Sequence, residues 1–244
     1  MKIAILGYGK MGQQIEKVAF ERKHKVVAYI DNEGDWSKQA DKLKQADIAV
    51  DFSMPKVVVE NIYKCFELNL PIVVGTTGWN QQLIVLKEKC LQENQSLIYA
   101  ANFSLGVNLF FALNKALAKI MNGYDDFDVS IEEIHHTEKK DAPSGTAIVL
   151  ANDIIKYLSK KETWINEIND NESELSIKSE RISNNIGTHI VTYSSPSDII
   201  EITHKLLNRK SLAKGAVLAA EWLINKKGFF NISDMLRDRF PPQF

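Results

Sequence analysis

A short apolar run, Ile3-Ala4-Ile5-Leu6, stops at Gly7, and Gly7-Tyr8-Gly9-Lys10-Met11-Gly12 follows with the spacing G-x-G-x-x-G. A run that is apolar on both faces suits a central parallel strand covered by helices on each side. Ile15, Val18 and Ala19 then recur at helical spacing, and a second apolar run, Lys25 to Ile30, ends at Asp31. Strand, glycine turn, helix, strand and acid in that order predict a dinucleotide-binding unit. The first glycine permits the tight turn, the second lets the backbone approach a pyrophosphate, and the third lets helix pack on strand. The helix N-terminus offers N–H groups to phosphates. A carboxylate after the second strand can accept from ribose hydroxyls. S-adenosylmethionine sites use similar turns and stay open as an alternative at this level. Asp31 beside neutral Asn32 favours a free 2′-hydroxyl, hence NADH; Lys10 keeps NADPH open.

The alternation continues. Strands are expected at Ile48 to Phe52, Pro71 to Val74 and Ser96 to Tyr99, with helices at Val57 to Glu67 and Leu83 to Leu91. Strands alternating with helices imply a parallel, doubly wound sheet. After about residue 103 the pattern changes. Helices are expected at Asn108 to Met121, Ala147 to Leu158 and Ser211 to Asn225. Asp128 to His135 alternates partly, like a strand of an open-faced sheet. His189 to Tyr193 and Ile199 to His204 flank Ser194-Ser195-Pro196-Ser197, which suggests an antiparallel connection. Lys160 to Glu180 is polar and reads as loop with a short strand, and Arg239 to Phe244 as a tail. The fold class is therefore α/β: an N-terminal Rossmann-type dinucleotide-binding domain plus a C-terminal α+β domain with an open mixed sheet. No flexible linker marks the joint near Phe103 to Val107, so a hinge between packed domains is expected.

Composition narrows the function classes. Thirty basic and 31 acidic residues leave a net charge of -1, against the basic excess of a sequence-independent nucleic-acid binder. The 45% hydrophobic content excludes disorder along most of the chain. Cys65 and Cys90 make neither a disulfide framework nor a zinc motif. With no signal peptide and no apolar run long enough to span a membrane, a soluble, cytoplasmic protein is expected.

The second informative segment is Glu132-Glu133-Ile134-His135-His136-Thr137-Glu138-Lys139-Lys140-Asp141-Ala142-Pro143-Ser144-Gly145-Thr146-Ala147. Adjacent histidines on a strand point to opposite faces and so have different roles. Histidine exchanges protons near neutral pH, and Lys139 adds a cation or general acid. Pro143-Ser144-Gly145-Thr146 opens a helix, whose N-terminus suits a substrate carboxylate. Taken alone, the histidine pair fits a structural role and the Lys-Lys-Asp run a solvated surface. Zinc is disfavoured, since there is no His-Glu-x-x-His and no supporting cysteine.

His135-His136-x-x-Lys139-x-Asp141-Ala142-Pro143-Ser144-Gly145-Thr146-Ala147 resembles the signature of the dihydrodipicolinate (4-hydroxy-tetrahydrodipicolinate) reductase family. Asp51-Phe52-Ser53, Gly75-Thr76-Thr77-Gly78 and Ala100-Ala101-Asn102-Phe103-Ser104 are similar to its cofactor-side loops. Gly187-Thr188-His189, Glu201-Ile202-Thr203-His204, Arg209 and Lys214-Gly215-Ala216 are similar to its C-terminal signature. The resemblance covers the chain except Lys160 to Glu180. It implies NAD(P)H-dependent reduction of the cyclic imine 4-hydroxy-tetrahydrodipicolinate to tetrahydrodipicolinate, in diaminopimelate and lysine biosynthesis.

Residue by residue, it implies that His135 is the proton donor/acceptor and Lys139 the second proton donor. It makes His136 a substrate contact, with Gly145 and Thr146, and Ser144 beside them, holding a substrate carboxylate. Gly7, Tyr8, Gly9, Lys10, Met11, Gly12, Asp31, Gly75, Thr76, Thr77, Ala100, Ala101, Asn102 and Phe103 match cofactor contacts, and no metal is implied. A dinucleotide domain of residues 1–103 and 211–244, a substrate and tetramerisation domain of residues 104–210, and a homotetramer are expected. Asp31-Asn32 lacks the basic neighbour that some members use for a 2′-phosphate, so the cofactor is read as NADH, with NADPH the alternative. Two rivals share the cofactor residues: a nicotinamide-binding redox sensor without turnover, and a reductase of another imine or keto acid.

Overall fold

The structure, a computed structural model, describes residues 1–239. The chain divides into two compact units: Met1–Leu105 with the described residues from Arg209 onward, and Gly106–Asn208. Among the described residues no helix is long and apolar enough to cross a membrane.

The first unit opens with β1 (Lys2–Leu6), α1 (Lys10–Glu21) and β2 (Lys25–Ile30). Two short helices follow, α2 (Glu33–Lys38) and α3 (Ala40–Leu43), then β3 (Ile48–Asp51), α4 (Pro55–Glu67), β4 (Ile72–Val74), α5 (Leu83–Gln92) and β5 (Ser96–Tyr99). Side chains alternate across the sheet, so each strand feeds two cores. Ile3, Ile5, Val50, Val73 and Ile98 face Ile15, Val18 and Ala19 of α1. Ala4, Leu6, Ala49, Ile72, Val74 and Leu97 face Val58, Ile62 and Phe66 of α4 and Leu86 of α5. This is why β1 is apolar at every position from Ile3 to Leu6. Ile5 is wholly buried; its truncation to Ala would cost about 2–5 kcal/mol.

The second unit holds α6 (Leu105–Met121, entered from the first unit), β6 (Asp128–His135), α7 (Gly145–Tyr157), β7 (Thr163–Ile165), β8 (Glu174–Arg181), β9 (Thr188–Ser194) and β10 (Ile199–Lys205). Its five strands run in the order β10-β9-β6-β8-β7. β9 is antiparallel to β6 and β10, whereas β6, β8 and β7 are parallel. One face packs Val129, Ile131, Leu175, Ile177, Val191 and Tyr193 under Phe110 and Ala118 of α6 and Leu150, Ala151 and Ile154 of α7. The opposite face is mixed: Ile134, Ile190 and Ile199 lie among polar side chains, and Lys178 bridges Glu132 at 3.0 Å and Glu180 at 2.5 Å. The segment read as loop with a short strand carries two strands, and β8 spans eight residues. Only Leu175 and Ile177 face the core there, so the alternation was too short to stand out in a polar stretch.

The chain then returns to the first unit through α8 (Lys210–Leu223), β11 (Gly228–Asn231) and α9 (Ile232–Arg239). α8 buries Ala213, Ala216, Val217, Ala219, Ala220 and Leu223 in the core shared with α1. β11 completes an all-parallel sheet ordered β11-β5-β4-β3-β1-β2. β11 and α9 were not anticipated. The expected tail begins inside α9 at Arg239, and its remaining residues, 240–244, lie outside the described residues.

Candidate functional site

In the first unit the chain reverses direction across the sheet at β1, whose neighbours are β2 and β3. Ligands of such sheets bind outside the strand ends at this switch point, where the glycine turn sits. Gly7 has φ +87°, and a Cβ on it would lie 2.6 Å from the Phe52 carbonyl oxygen. A Cβ on Gly12 would lie 2.3 Å from the Gly7 carbonyl oxygen, so α1 packs on the turn only because Gly12 is bare. Around Gly9 no atom comes within 4 Å of a Cβ position. Gly9 is also the N-cap of α1, which has no side-chain cap. The start of α1 is thus open on the side where a pyrophosphate would approach, with the N–H groups that such an anion takes. The backbone therefore fits a dinucleotide.

Asp31 follows β2 as expected, but its Oδ1 accepts from the Tyr8 N–H at 2.9 Å. Tyr8 and Tyr29 both donate their hydroxyls to Glu16, and their rings meet edge to face at 4.8 Å. A cleft of about 270 Å³ is lined by Gly7, Gly9, Asp31, Trp36, Phe52 and Lys64, among others. Lys64, the cation of that lining, is 3.0 Å from Glu33 and 2.7 Å from Glu60. Lys10 is exposed and Met11 half-buried at the start of α1.

Two further loops leave the strand ends beside the turn. Gly75 follows β4, where a Cβ would overlap the Phe52 ring at 2.2 Å. Thr76 is buried, and its hydroxyl donates to Asp51 Oδ1 at 2.6 Å; Thr77 is exposed. Asp51, itself wholly buried, also accepts from Ser53 N at 3.0 Å, Ser53 Oγ at 2.8 Å and Asn61 Nδ2 at 2.8 Å. Burial pushes its carboxyl up, against those four donors. After β5, Ala100 is buried and Ala101 exposed, and Asn102 Oδ1 accepts from Ser104 N at 2.8 Å. Phe103 is 1% exposed and belongs to the core. At Thr76 and Phe103, then, a ligand would meet backbone rather than side chain.

In the second unit the helix-covered face of the sheet changes character along its strands. Val129 and Ile131 of β6 give way to Glu133 and His135, and Leu175 and Ile177 of β8 to Ser179 and Arg181. On β9, Tyr193 and Val191 give way to His189. Glu133 stands opposite His189, and His135 opposite Arg181. Glu133 is wholly buried; its Oε2 lies 2.7 Å from His135 Nδ1 and its Oε1 3.0 Å from an Arg181 guanidinium nitrogen. Ser144 N donates to the same Oε1 at 3.2 Å. Burial pushes the Glu133 carboxyl up, but His135, Ser144, Ser179 and Arg181 outweigh it and hold it well below the usual carboxylate range. His189 is pushed down to about 3, first by burial and then by the charge of His135.

The helix start is built as expected. Ser144 is the N-cap of α7, accepting from Ala147 N at 3.2 Å. Ser144 is 2% exposed and its hydroxyl lies 3.0 Å from His189 Nε2. It therefore shapes the helix start from inside, and the open positions are Gly145, where nothing lies within 4 Å of a Cβ position, and half-buried Thr146. His136 is half-buried. Lys139 Nζ is 2.7 Å from both carboxylate oxygens of Asp141, which it holds below the usual range.

Glu133, His135 and His189 bring three donor atoms within 4.8 Å, the grouping among the described residues that suits a cation. Arg181 places a positive charge beside the carboxylate, which opposes a cation, and Ser144 takes His189 Nε2, while Glu133 Oε2, His135 Nδ1 and His189 Nδ1 stay without hydrogen-bond partners among the described residues. Sequence reasoning left Glu133, Arg181 and His189 without roles. Glu133 and His135 stand two apart on one strand and share a face, a signal that was legible; Arg181 and His189 arrive only through strand register.

The chain as a whole carries a family likeness. Residues 1–103 match the family model for the N-terminus of dihydrodipicolinate reductase, and residues 106–236 that for its C-terminus. A 4-hydroxy-tetrahydrodipicolinate reductase of Christiangramia forsetii is 48% identical over 240 residues, covering 98% of this chain and 99% of that one. One of Staphylococcus aureus is 35% identical over 248 residues, covering 96% and 100%. Among solved structures, a dipicolinate-bound dihydrodipicolinate reductase from Paenisporosarcina sp. TG-14 superposes with TM-score 0.74 at 25% identity, covering 95% of this chain and 97% of that one. An amine dehydrogenase from Mycobacterium smegmatis shares the fold at TM-score 0.61 and 10% identity, over 100% and 98%.

Proposed function

Because the chain belongs to the dihydrodipicolinate reductase family, we propose that it reduces the cyclic imine 4-hydroxy-tetrahydrodipicolinate to tetrahydrodipicolinate with NAD(P)H, in diaminopimelate and lysine biosynthesis. The observation that carries this reading is the second unit's cluster. A histidine backed by a buried carboxylate and a lysine share one segment with the open N-terminus of α7.

A dicarboxylate needs N–H donors and cations. Gly145 and Thr146 at the α7 N-terminus offer the donors, and the helix dipole favours the charge. His136 flanks the same segment as a substrate contact. The nicotinamide supplies the hydride when bound. Hydride arrival at an unsaturated ring carbon leaves an electron-rich neighbour; His135 exchanges the proton there, and Lys139, poised on Asp141, is the second donor. The 4-hydroxyl leaves as water, so one hydride and one proton enter for each water lost.

The glycine turn, Asp31, the loop after β4 and the loop after β5 would hold the dinucleotide. We favour NADH over NADPH. Asp31 and Glu33 put negative charge where a 2′-phosphate would lie, and Lys64 is already paired with two glutamates. Four copies associating through the second unit's sheet would form a homotetramer; light scattering should then give about four times 27.6 kDa.

The test is absorbance at 340 nm with the imine generated in situ by a coupled synthase. Imine-dependent oxidation of NADH, faster than that of NADPH, is expected. Oxidation of neither cofactor despite demonstrable NADH binding would overturn the assignment of substrate.

A further inference from the structure

Resting on the reading of His135 as the proton-exchanging group, we propose that Glu133 is a positioning residue: its buried carboxylate holds the His135 ring from the Nδ1 side, while Gly187 keeps the Nε2 side clear.

The two ring nitrogens have different surroundings. Nδ1 is buried and 2.7 Å from Glu133 Oε2, a contact of distance in which neither atom makes a directed hydrogen bond. Nε2 has no protein partner among the described residues. A Cβ on residue 187 would lie 3.1 Å from Nε2 and 3.3 Å from Cδ2, so a side chain there would crowd the one nitrogen left for substrate. The carboxylate is in turn held by groups from two other elements. Arg181 of β8 reaches Oε1 at 3.0 Å and the Asp141 carbonyl oxygen besides, and Ser144 N fixes the same Oε1 at 3.2 Å. Glu133 therefore cannot swing away from His135 without abandoning a guanidinium and a helix cap.

The other titratable groups near the ring do not replace it. His189 of β9 packs edge to face at 5.0 Å, and burial keeps it neutral near pH 7. His204 of β10 and Lys139 act on His189 by charge, and the Lys139 ammonium is taken by Asp141. Glu133 is thus the negative charge in direct contact with His135. A carboxylate fixed beside Nδ1 sets the orientation of the ring and leaves Nε2 to exchange the proton. The ring can then carry a proton to the electron-rich carbon from Nε2 and recover it from water.

A double-mutant cycle on the intact enzyme tests this, with E133Q, H135N and E133Q/H135N assayed against the in situ imine and NADH. E133Q is expected to lower kcat about 10²-fold with the KM for NADH unchanged. The loss should fall on kcat and leave NADH affinity, read by fluorescence titration, at its wild-type value, a separation that a merely structural role would not give. In the H135N background E133Q should change kcat less than twofold, because Glu133 acts through the ring. Equal losses in both backgrounds, or a wild-type kcat in E133Q, would overturn the proposal. Full turnover in H135N would instead overturn the reading of His135, and the proposal with it. If E133Q fails to fold, E133D keeps the charge one methylene further back. It should lower kcat with the KM for NADH unchanged and lose nothing further in the H135N background; an additive loss there would overturn the proposal.

Discussion

Asp31 Oδ1 accepts the Tyr8 N–H at 2.9 Å, so the carboxylate after β2 braces the glycine turn as well as lining the cleft. One residue thus braces the turn and stands where the proposed ribose contact is expected. Asp31→Ala removes both functions, and NADH affinity measured by fluorescence titration should fall about 10- to 100-fold, the worth of one hydrogen bond to a charged group. Asp31→Asn keeps an acceptor for Tyr8 but removes the charge, so the NADH-to-NADPH affinity ratio should narrow. An unchanged ratio would remove Asp31 from cofactor discrimination.

The glycines of the turn should separate folding from binding. A Cβ at Gly12 meets the Gly7 carbonyl oxygen at 2.3 Å, while one at Gly9 meets nothing within 4 Å. Gly12→Ala should destabilise the protein by about 1–3 kcal/mol, the usual cost of overpacking. Gly9→Ala should leave the thermal midpoint near wild type and weaken NADH binding. Equal melting temperatures for the two variants would contradict the packing role of Gly12.

Asp51 gathers Ser53, Asn61 and Thr76 and so ties the loops after β3 and β4 to α4. Asp51→Ala strands buried donors, each costing about 1–3 kcal/mol if unsatisfied. Asp51→Asn turns an amide donor toward groups that already donate. Both variants should melt lower than wild type, and hydrogen exchange should rise at residues 75–77. Protection there at wild-type levels would show that the loop is held by other contacts.

Acid should weaken the second unit in a defined window. His189 is held at about 3 in the folded protein against an ordinary 6.5, chiefly by burial. Between those values the unfolded chain binds the proton and the folded one does not, so stability falls as pH falls from 6.5 toward 3. The slope from this one group approaches ~1.4 kcal/mol per pH unit. Glu133 adds to it at lower pH: its carboxyl is held below the usual range, so its contribution is present above that range and lost on acidification. Denaturant titrations at pH 7, 6 and 5 should show the decline, and His189→Asn should flatten it between pH 6 and 5. The same slope in wild type and variant would assign it to other groups.

Much of the first unit was legible because its signals are local. The apolar run at β1, the glycine spacing and the acid after β2 each state a requirement met within a few residues: a strand covered on two faces, a turn without Cβ, a carboxylate at a strand end. The α7 start was legible for the same reason, since Ser144 caps a helix whose apolar face follows at once. β8 was missed because two apolar residues in a polar stretch make too short an alternation, and β11 because four residues carry little pattern of their own.

What the sequence by itself determined is the glycine turn, the order of strands and helices that makes the first sheet parallel, and the segment that holds His135, Lys139 and the α7 N-terminus. Only the tertiary structure decided how His135 is held. Arg181 reaches Glu133 across 48 positions of chain and His189 reaches Ser144 across 45, through the register of β8 and β9 against β6. Periodicity states which residues share a face; the hydrogen-bond ladder and the packing of α7 on the sheet decide which of them meet at the end of it.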